Sequence, residues 1–172
     1  MATFTTFETN RLIIRPTQIA DADFLLKLLN SPKWIELIGD REVHSIEEAE
    51  NYITSKMLPQ LEKLGFTNNT IIRKSDHVKI GICGLFKKDS TESLEIGFAL
   101  LPEFEKQGFA FEAIIEMISF AKNKLNVKFV TAFTDPKNLA LQKLLEKLGL
   151  RFVKALILPD ETDEVFFYKL DF

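Results

Sequence analysis

Hydrophobic positions along this chain alternate between the spacing of strands and the spacing of helices. The first apolar run, Arg11–Arg15, is rich in β-branched residues and is followed by Pro16, which predicts a short strand. From Ile19 to Asn30 the apolar residues recur three and four positions apart, the spacing of one helix face. Ser31-Pro32 is expected to end this helix, because the residue before a proline disfavours the helical conformation.

A second helical region begins at a capping signal. Ser45 and Glu48 have the spacing at which a hydroxyl and a carboxylate satisfy each other's backbone amides at a helix start. The pattern predicts a helix from there to about Leu64, with a break or bend near Pro59 and a stop at Gly65.

The second half of the chain alternates strands with helices. The segment Leu94–Leu101 is almost continuously apolar, which predicts a strand buried on both faces. Helices are predicted from Phe109 to about Leu125 and from Asn138 to Leu148. The remaining strands are predicted at 66–74, 79–88, 128–134, 151–158 and 165–172, with polar turns at 75–77, 89–93 and 159–164. This order favours an α/β or α+β domain with a largely antiparallel sheet, as a single domain over residues 1–172.

Composition narrows the class of protein. The 172 residues are 46% hydrophobic and 27% charged, which is typical of a globular chain and excludes a disordered one. The 25 acidic and 22 basic residues give a net charge of −3 without a basic stripe, so no nucleic-acid partner is expected. With no long apolar run and no signal-like N-terminus, we expect a cytoplasmic protein without a membrane partner. With one cysteine and two histidines, the chain has few of the usual zinc ligands, and no metal is expected.

The segment from 94 to 111 combines a predicted strand, a short loop and the start of a helix. The first amides of a helix have no partner within it, and the helix dipole favours negative charge there, so this arrangement can bind a phosphate. Gly108 in the loop permits a positive φ or the close approach of a ligand. Plain connectivity between a strand and a helix would give the same pattern, so the loop alone leaves both interpretations open.

Several motifs around this loop resemble the GNAT family of N-acetyltransferases, in particular its ribosomal-protein-alanine acetyltransferase-like (RimJ/RimL-like) branch. The family has an R/Q-x-x-G-x-G/A loop after its fourth strand, and residues 105–110 read EKQGFA. Residues 95–100 read EIGFAL, similar to EIGYWL of the branch, and 102–113 read PEFEKQGFAFEA, similar to PEYWGKGYATEA. Further matches are the opening NRLIIRP at 10–16, the helix start SIEEA at 45–49, and the segment from PKN at 136–138 to LLEKLGL at 144–150. The resemblance therefore covers nearly the full chain in the right order.

The resemblance implies both a fold and a ligand. The fold is a central, mostly antiparallel, seven-stranded twisted sheet flanked by about four helices, with strands four and five splayed apart. The ligand is acetyl-CoA, used as a cosubstrate, with its pyrophosphate on the loop amides and its pantetheine arm along the end of the fourth strand. The implied contacts are Ala99, Leu100 and Leu101 with the pantetheine, Glu105, Lys106, Gln107, Gly108, Phe109, Ala110 and Phe111 with the pyrophosphate, and Asn138 with the pantetheine or its sulfur end.

The implied reaction is direct attack of a primary amine, from a protein N-terminus or a small molecule, on the thioester. It requires a base for the ammonium, a donor for the developing oxyanion and a proton for the leaving thiolate. Glu95 is the candidate base, because it is an acid in an otherwise apolar strand at about the place of a catalytic glutamate in relatives. A carboxylate on the solvent-facing side of the strand is the alternative.

Two features depart from the family pattern. Glu105 stands where the family usually has Arg, Gln or Trp, so we expect it to point outward, with Lys106 partly offsetting its charge. The serine and the tyrosine of relatives fall at Leu141 and Leu145, which leaves no obvious general acid. A second hypothesis follows: a catalytically inactive acyl-CoA-binding sensor or scaffold of the same fold.

The other candidate residues each keep a structural alternative. His44 and Trp34 could shape the acceptor pocket, or be a surface histidine and a core tryptophan. Lys143 and Lys147 could meet the nucleotide phosphates, or lie on a solvated helix face. Cys83 is interpreted as a small buried hydrophobe. The sequence does not identify the acceptor, nor does it decide between a monomer and a homodimer.

Overall fold

The computed structural model describes residues 4–87, 93–159 and 161–172. Within these ranges an eight-stranded sheet runs in the order β1-β2-β3-β4-β5-β6-β8-β7. The strands are β1 (Phe7–Glu8), β2 (Leu12–Pro16), β3 (Asn68–Arg73), β4 (Lys79–Lys87), β5 (Leu94–Leu100), β6 (Phe129–Thr134), β7 (Arg151–Ile157) and β8 (Glu164–Asp171). The helices are α1 (Ala22–Leu29), α2 (Pro32–Leu37), α3 (Ile46–Tyr52), α4 (Leu58–Leu64), α5 (Phe109–Asn123) and α6 (Leu139–Lys147). No helix among the described residues is long and apolar enough to cross a membrane.

The predicted α/β fold is confirmed, with two additions. The short β1 adds an eighth strand to the seven expected, and α2 adds a helix that the sequence pattern did not indicate. Ser31-Pro32 does end α1, but Pro32 also begins α2, since proline is tolerated in the first turn of a helix. The predicted bend before α4 is a π-helical turn at Ile53–Met57. The turn predicted at 89–93 lies mostly outside the described residues, and the turn at 159–164 lies partly outside them.

The sheet is covered on both faces, and β5 lies between the two layers. On one face the core packs against α5 and includes Leu94 and Ile96 of β5. On the other face α1 to α3 form a second core with Ile82, against which Ala99 packs. The prediction that β5 is buried on both faces is wrong: its residues from Gly97 to Leu100 are only half-buried. One side of this strand lines an open cleft.

Strands β5 and β6 are the only parallel neighbours among the described strands, and they separate quickly. They pair only at Leu94–Val130 and Glu95–Thr131. Beyond Glu95, β5 keeps its pairing with β4, whereas β6 keeps its pairing with β8. The predicted splay is therefore confirmed. It leaves the β6-facing edge of β5 free to pair with an extended ligand.

A buried carboxylate holds the first helices on the sheet. Asp21 is fully buried and accepts hydrogen bonds from the Arg15 guanidinium at 2.7 and 2.9 Å and from the Gln18 amide at 2.9 Å. The Thr70 hydroxyl donates at 3.0 Å, and Lys79 Nζ lies 2.9 Å away. Burial alone would raise the pKa of Asp21, but these donors outweigh it and hold the pKa well below its usual range. Because the donors come from β2, β3 and β4, the carboxylate fixes the start of α1 on three strands.

We expect Asp21→Asn to lower the free energy of unfolding by about 3 kcal/mol, the scale for breaking a buried ion pair. Since the folded-state pKa of Asp21 is depressed, its contribution is present above the unfolded-state pKa of about 3.9 and is lost as the pH falls below it. Urea denaturation at pH 7 and at pH 3 tests this. The difference in the free energy of unfolding between Asp21→Asn and the wild type should be smaller at pH 3 than at pH 7. The control is Asp23→Asn at an exposed neighbouring position, whose free energy of unfolding should stay within about 0.5 kcal/mol of the wild type at both pH values.

Candidate functional site

A cleft of about 800 Å³ opens where β5 leaves β6. Its walls come from β5 and β6, from α2 and α6, and from the loop that enters α5. Of the predicted site residues, it is lined by Glu95, Ala99, Leu100, Glu105, Lys106, Gly108, Phe109, Ala110, Phe111 and Asn138. The two others lie elsewhere: Leu101 is buried in the core under α1 to α3, and Gln107 is exposed, with its Nε2 donating to the carbonyl of Glu103.

The loop entering α5 presents a run of backbone donors. Within the described part of the chain, none of the N–H groups of residues 106–111 donates a hydrogen bond. Lys106 and Gly108 both have left-handed φ values, 58° and 81°, which bend the loop around its amides. Gly108 is also the N-cap of α5, where the aligned peptide dipoles add partial positive charge. The loop is therefore suited to bind an anion such as a pyrophosphate.

Arg11 at the start of β2 holds this loop from behind. Its Nη1 donates to the carbonyl of Gln107 at 3.0 Å, and its guanidinium lies 4.3 Å from the Phe109 ring centre. Its Nε donates at 2.7 Å to Glu112 in the first turn of α5, which also accepts from the Thr9 hydroxyl. Burial opposes ionisation of Glu112, but these donors lower its pKa. The Glu112 carboxylate beside the loop is therefore paired with a positive charge. Sequence reasoning treated Arg11 only as part of a strand.

The unusual glutamate of the loop is also paired, but not as expected. Glu105 Oε2 lies 2.7 Å from Lys33 Nζ on α2, and both residues line the cleft. Lys33, rather than the expected Lys106, therefore forms the ion pair with Glu105. The sequence did not indicate Lys33 as a site residue, because it did not predict α2. Only the tertiary fold places this helix next to the loop.

On the side of the cleft formed by α6, the side chains include the amide of Asn138 and leucines. Asn138 caps α6, since its Oδ1 accepts from the Leu141 amide at 3.1 Å, and its Nδ2 has no acceptor among the described residues. Leu141 and Leu145 both line the cleft, so no hydroxyl stands at either position. Lys147 lines the cleft beside Phe111, with its Nζ 4.6 Å from the ring centre.

Glu95 lies where the splay begins. It is half-buried, with one carboxylate oxygen inaccessible to solvent, and it faces the cleft between Phe86 on β4 and Thr131 on β6. Trp34 on α2 and Tyr52 at the end of α3 form part of the wall above this face. The sequence left open whether Trp34 lines a pocket or belongs to the core, and in the structure it does both. The sequence did not indicate Tyr52 as a site residue.

The remaining candidates lie away from the cleft. His44 is exposed and does not line the cleft. Cys83 is fully buried, and burial raises its pKa to about 12, so the thiol is inert at neutral pH. The described residues contain no group of three or more His, Cys, Asp or Glu side chains placed to hold a metal ion.

A splayed strand pair beside a donor-rich loop at a helix start can hold an extended ligand that carries a phosphate. The comparisons agree. The model of the acetyltransferase (GNAT) domain matches residues 11–151, so the chain belongs to the GNAT acetyltransferase family. Its relatives indicate an N-acetyltransferase: the protein named N-acetyltransferase p20 of Bacillus licheniformis is 30% identical over 158 residues, covering 90% of this chain and 86% of the relative.

Solved structures share the fold at low sequence identity. A ribosomal-protein alpha-N-acetyltransferase in complex with coenzyme A has a TM-score of 0.83 at 14% identity, covering 97% of this chain and 98% of the other. The spermidine N-acetyltransferase of Vibrio cholerae in complex with CoA and spermine has a TM-score of 0.78 at 17% identity, covering 95% and 96%. These two neighbours act on different amines, so the fold alone does not identify the acceptor.

Proposed function

We propose that this chain is an acetyl-CoA-dependent N-acetyltransferase of the RimJ/RimL-like branch, forming a single domain over residues 1–172 and acting on a primary amine. The observation that carries the proposal is the run of unpartnered amides at 106–111 beside the splayed end of β5. With a pyrophosphate on these amides, the adjoining pantetheine arm runs along Ala99 and Leu100, whereas Leu101 lies in the core outside the cleft. The coenzyme A held by a structural neighbour supports the same choice of ligand.

Residues of this chain supply most of the groups that the acetyl transfer requires. In this mechanism Glu95 removes a proton from the ammonium, directly or through a water, and the free amine attacks the thioester carbon. A carbon–nitrogen bond forms as the carbon–sulfur bond breaks, and a backbone amide on the open edge of β5 donates to the oxyanion. The Asn138 Nδ2 donates to the pantetheine arm. With leucine at 141 and 145, the thiolate takes its proton from water or from the substrate.

Those leucines favour the second candidate, an acyl-CoA-binding sensor or scaffold without turnover. The two functions separate in one pair of measurements: calorimetry with CoA, and thiol release from acetyl-CoA with pools of peptides and small amines. Tight CoA binding with thiol release supports the enzyme. Tight binding with no release on any pool supports the sensor, and no CoA binding contradicts both.

The Lys33–Glu105 pair should set the affinity for CoA. We expect Lys33→Met to weaken CoA binding roughly 10-fold at low salt, because it leaves the Glu105 carboxylate uncompensated beside the pyrophosphate. Glu105→Gln should bind CoA at least as tightly as the wild type. In the double variant, the loss caused by Lys33→Met should largely disappear. Calorimetry on the four proteins measures the coupling, and additive effects would show that the pair is unrelated to cofactor binding.

A further inference from the structure

The loop entering α5 is held in a backbone conformation that its own sequence does not favour. Lys106 has a φ of 58°, in the left-handed region that residues with a side chain rarely adopt. A residue stays in this region only where its surroundings hold it there, and such residues cluster at ligand-binding sites. The contacts that hold residues 106–108 therefore determine how the loop presents its amides.

Arg11 holds the carbonyl at the centre of this bend. The Gln107 carbonyl lies between the two left-handed residues of the loop, and it accepts a hydrogen bond from Arg11 Nη1 at 3.0 Å. Among the described residues, no other hydrogen bond joins 106–108 to the sheet. The other hydrogen bonds of this stretch go to Glu103 and Glu112, which are only a few residues away.

The Arg11 side chain is itself fixed from several directions. Its Nε donates to one oxygen of Glu112 at 2.7 Å, and its backbone amide donates to the other oxygen at 2.8 Å. The Arg11 carbonyl accepts from the Lys74 amide at 2.9 Å, which ties the residue to the end of β3. A planar guanidinium can hold two acceptors in fixed directions at once, which the single ammonium of a lysine cannot do.

Arg11 acts on the loop and not on a ligand in the cleft. Its side chain is 41% exposed, but it is not among the residues that line the cleft. Its guanidinium lies 4.3 Å from the ring centre of Phe109, the first residue of α5. The contacts of Arg11 therefore lie behind the amides of 106–111.

We propose that Arg11 is a positioning residue for the pyrophosphate of CoA. It fixes the Gln107 carbonyl and thereby sets the direction of the amides of 106–111 before the ligand binds. A loop that already has its bound arrangement loses less conformational freedom on binding, which raises affinity. This inference rests on the proposed function, because it assigns a further residue to the proposed pyrophosphate site.

CoA and pantetheine together separate this role from a purely structural one. Both ligands contain the pantetheine arm, but only CoA carries the pyrophosphate. In Arg11→Met we expect the Kd for CoA to rise roughly 10-fold, the scale of a hydrogen bond from a charged group, while the Kd for pantetheine stays unchanged. Calorimetry measures both values, and circular dichroism verifies the fold. An equal loss for the two ligands would overturn the proposal, because it would show a general loss of structure.

Arg11→Lys tests whether the geometry of the guanidinium matters. Lysine keeps the charge but donates from a single nitrogen, so it cannot reach both the Gln107 carbonyl and Glu112 in the same way. We expect this variant to lose most of the same affinity for CoA, and wild-type affinity would reject positioning in favour of a simple charge effect. The control is Arg151→Met, the same change at an exposed residue of β7 outside the cleft, which should keep both Kd values.

The wild-type protein distinguishes failure of this inference from failure of the proposed function. If it binds CoA more tightly than pantetheine and Arg11→Met keeps the same ratio, only the role of Arg11 is rejected. If it binds the two ligands equally, or does not bind CoA, the pyrophosphate site and the role of Arg11 are rejected together.

Discussion

Gly108→Glu should abolish CoA binding while the protein stays folded. Gly108 has a φ of 81°, and a Cβ there would lie 3.3 Å from Arg11 Nη2, so the guanidinium must shift by only a few tenths of an ångström. The backbone strain is about 1–2 kcal/mol, which a folded domain tolerates. The added negative charge, however, lies on the loop itself, close to the amides of 106–111 where the pyrophosphate is proposed to bind. We expect the Kd for CoA to rise at least roughly 100-fold by charge repulsion.

Gly65 offers a matched control for this substitution. It ends α4 with a φ of 82°, and no atom lies within 4 Å of the position of a Cβ. Gly65→Glu therefore introduces the same side chain at the same backbone conformation, outside the cleft. Calorimetry with CoA, with circular dichroism to verify the fold, should find wild-type affinity in this control. Wild-type affinity in Gly108→Glu as well would reject the loop as the pyrophosphate site.

Glu95→Gln should lower turnover by roughly 100-fold or more, the usual scale for losing a general base. The affinity for acetyl-CoA should remain, because the proposed cofactor contacts are backbone groups further along β5 and in the loop. The amide keeps the size and polarity of the side chain but cannot accept the ammonium proton at neutral pH. The loss should therefore fall on kcat in the thiol-release assay.

The control for Glu95 is Glu116→Gln on α5, outside the cleft, which should keep wild-type turnover. The wild-type rate should also rise with pH as the reacting amine loses its proton. Equal turnover in Glu95→Gln and the wild type would remove this residue from the mechanism and leave water as the base.

Most of the fold could be predicted from the sequence because its signals are local. The helix face from 19 to 30, the glycine stop at Gly65 and the breaks at proline each depend on residues within a turn or two of one another. Of the two hydrogen bonds that the capping signal at Ser45 predicts, the structure contains one. Ser45 does accept from the Glu48 amide at 3.1 Å, but the Glu48 carboxylate accepts from the His44 amide, one residue earlier than expected.

The partners of charged side chains could not be predicted in the same way. Glu105 and Lys33 are 72 residues apart, and Arg11 and Glu112 are 101 apart. A carboxylate in a motif shows that a counter-charge is needed, but any of the chain's 22 lysines and arginines could supply it. The choice depends on how α2 and β2 pack around the loop.

The sequence by itself determined the order of most elements, the candidate loop at Gly108 and the resemblance to the GNAT family, because each is written in short, contiguous motifs. The tertiary structure alone decided that β5 has one open side and that Lys33 forms the ion pair with Glu105. The physical reason is that burial and ion pairing arise from residues far apart in the chain, and only packing of the helices on the twisted sheet brings those residues together.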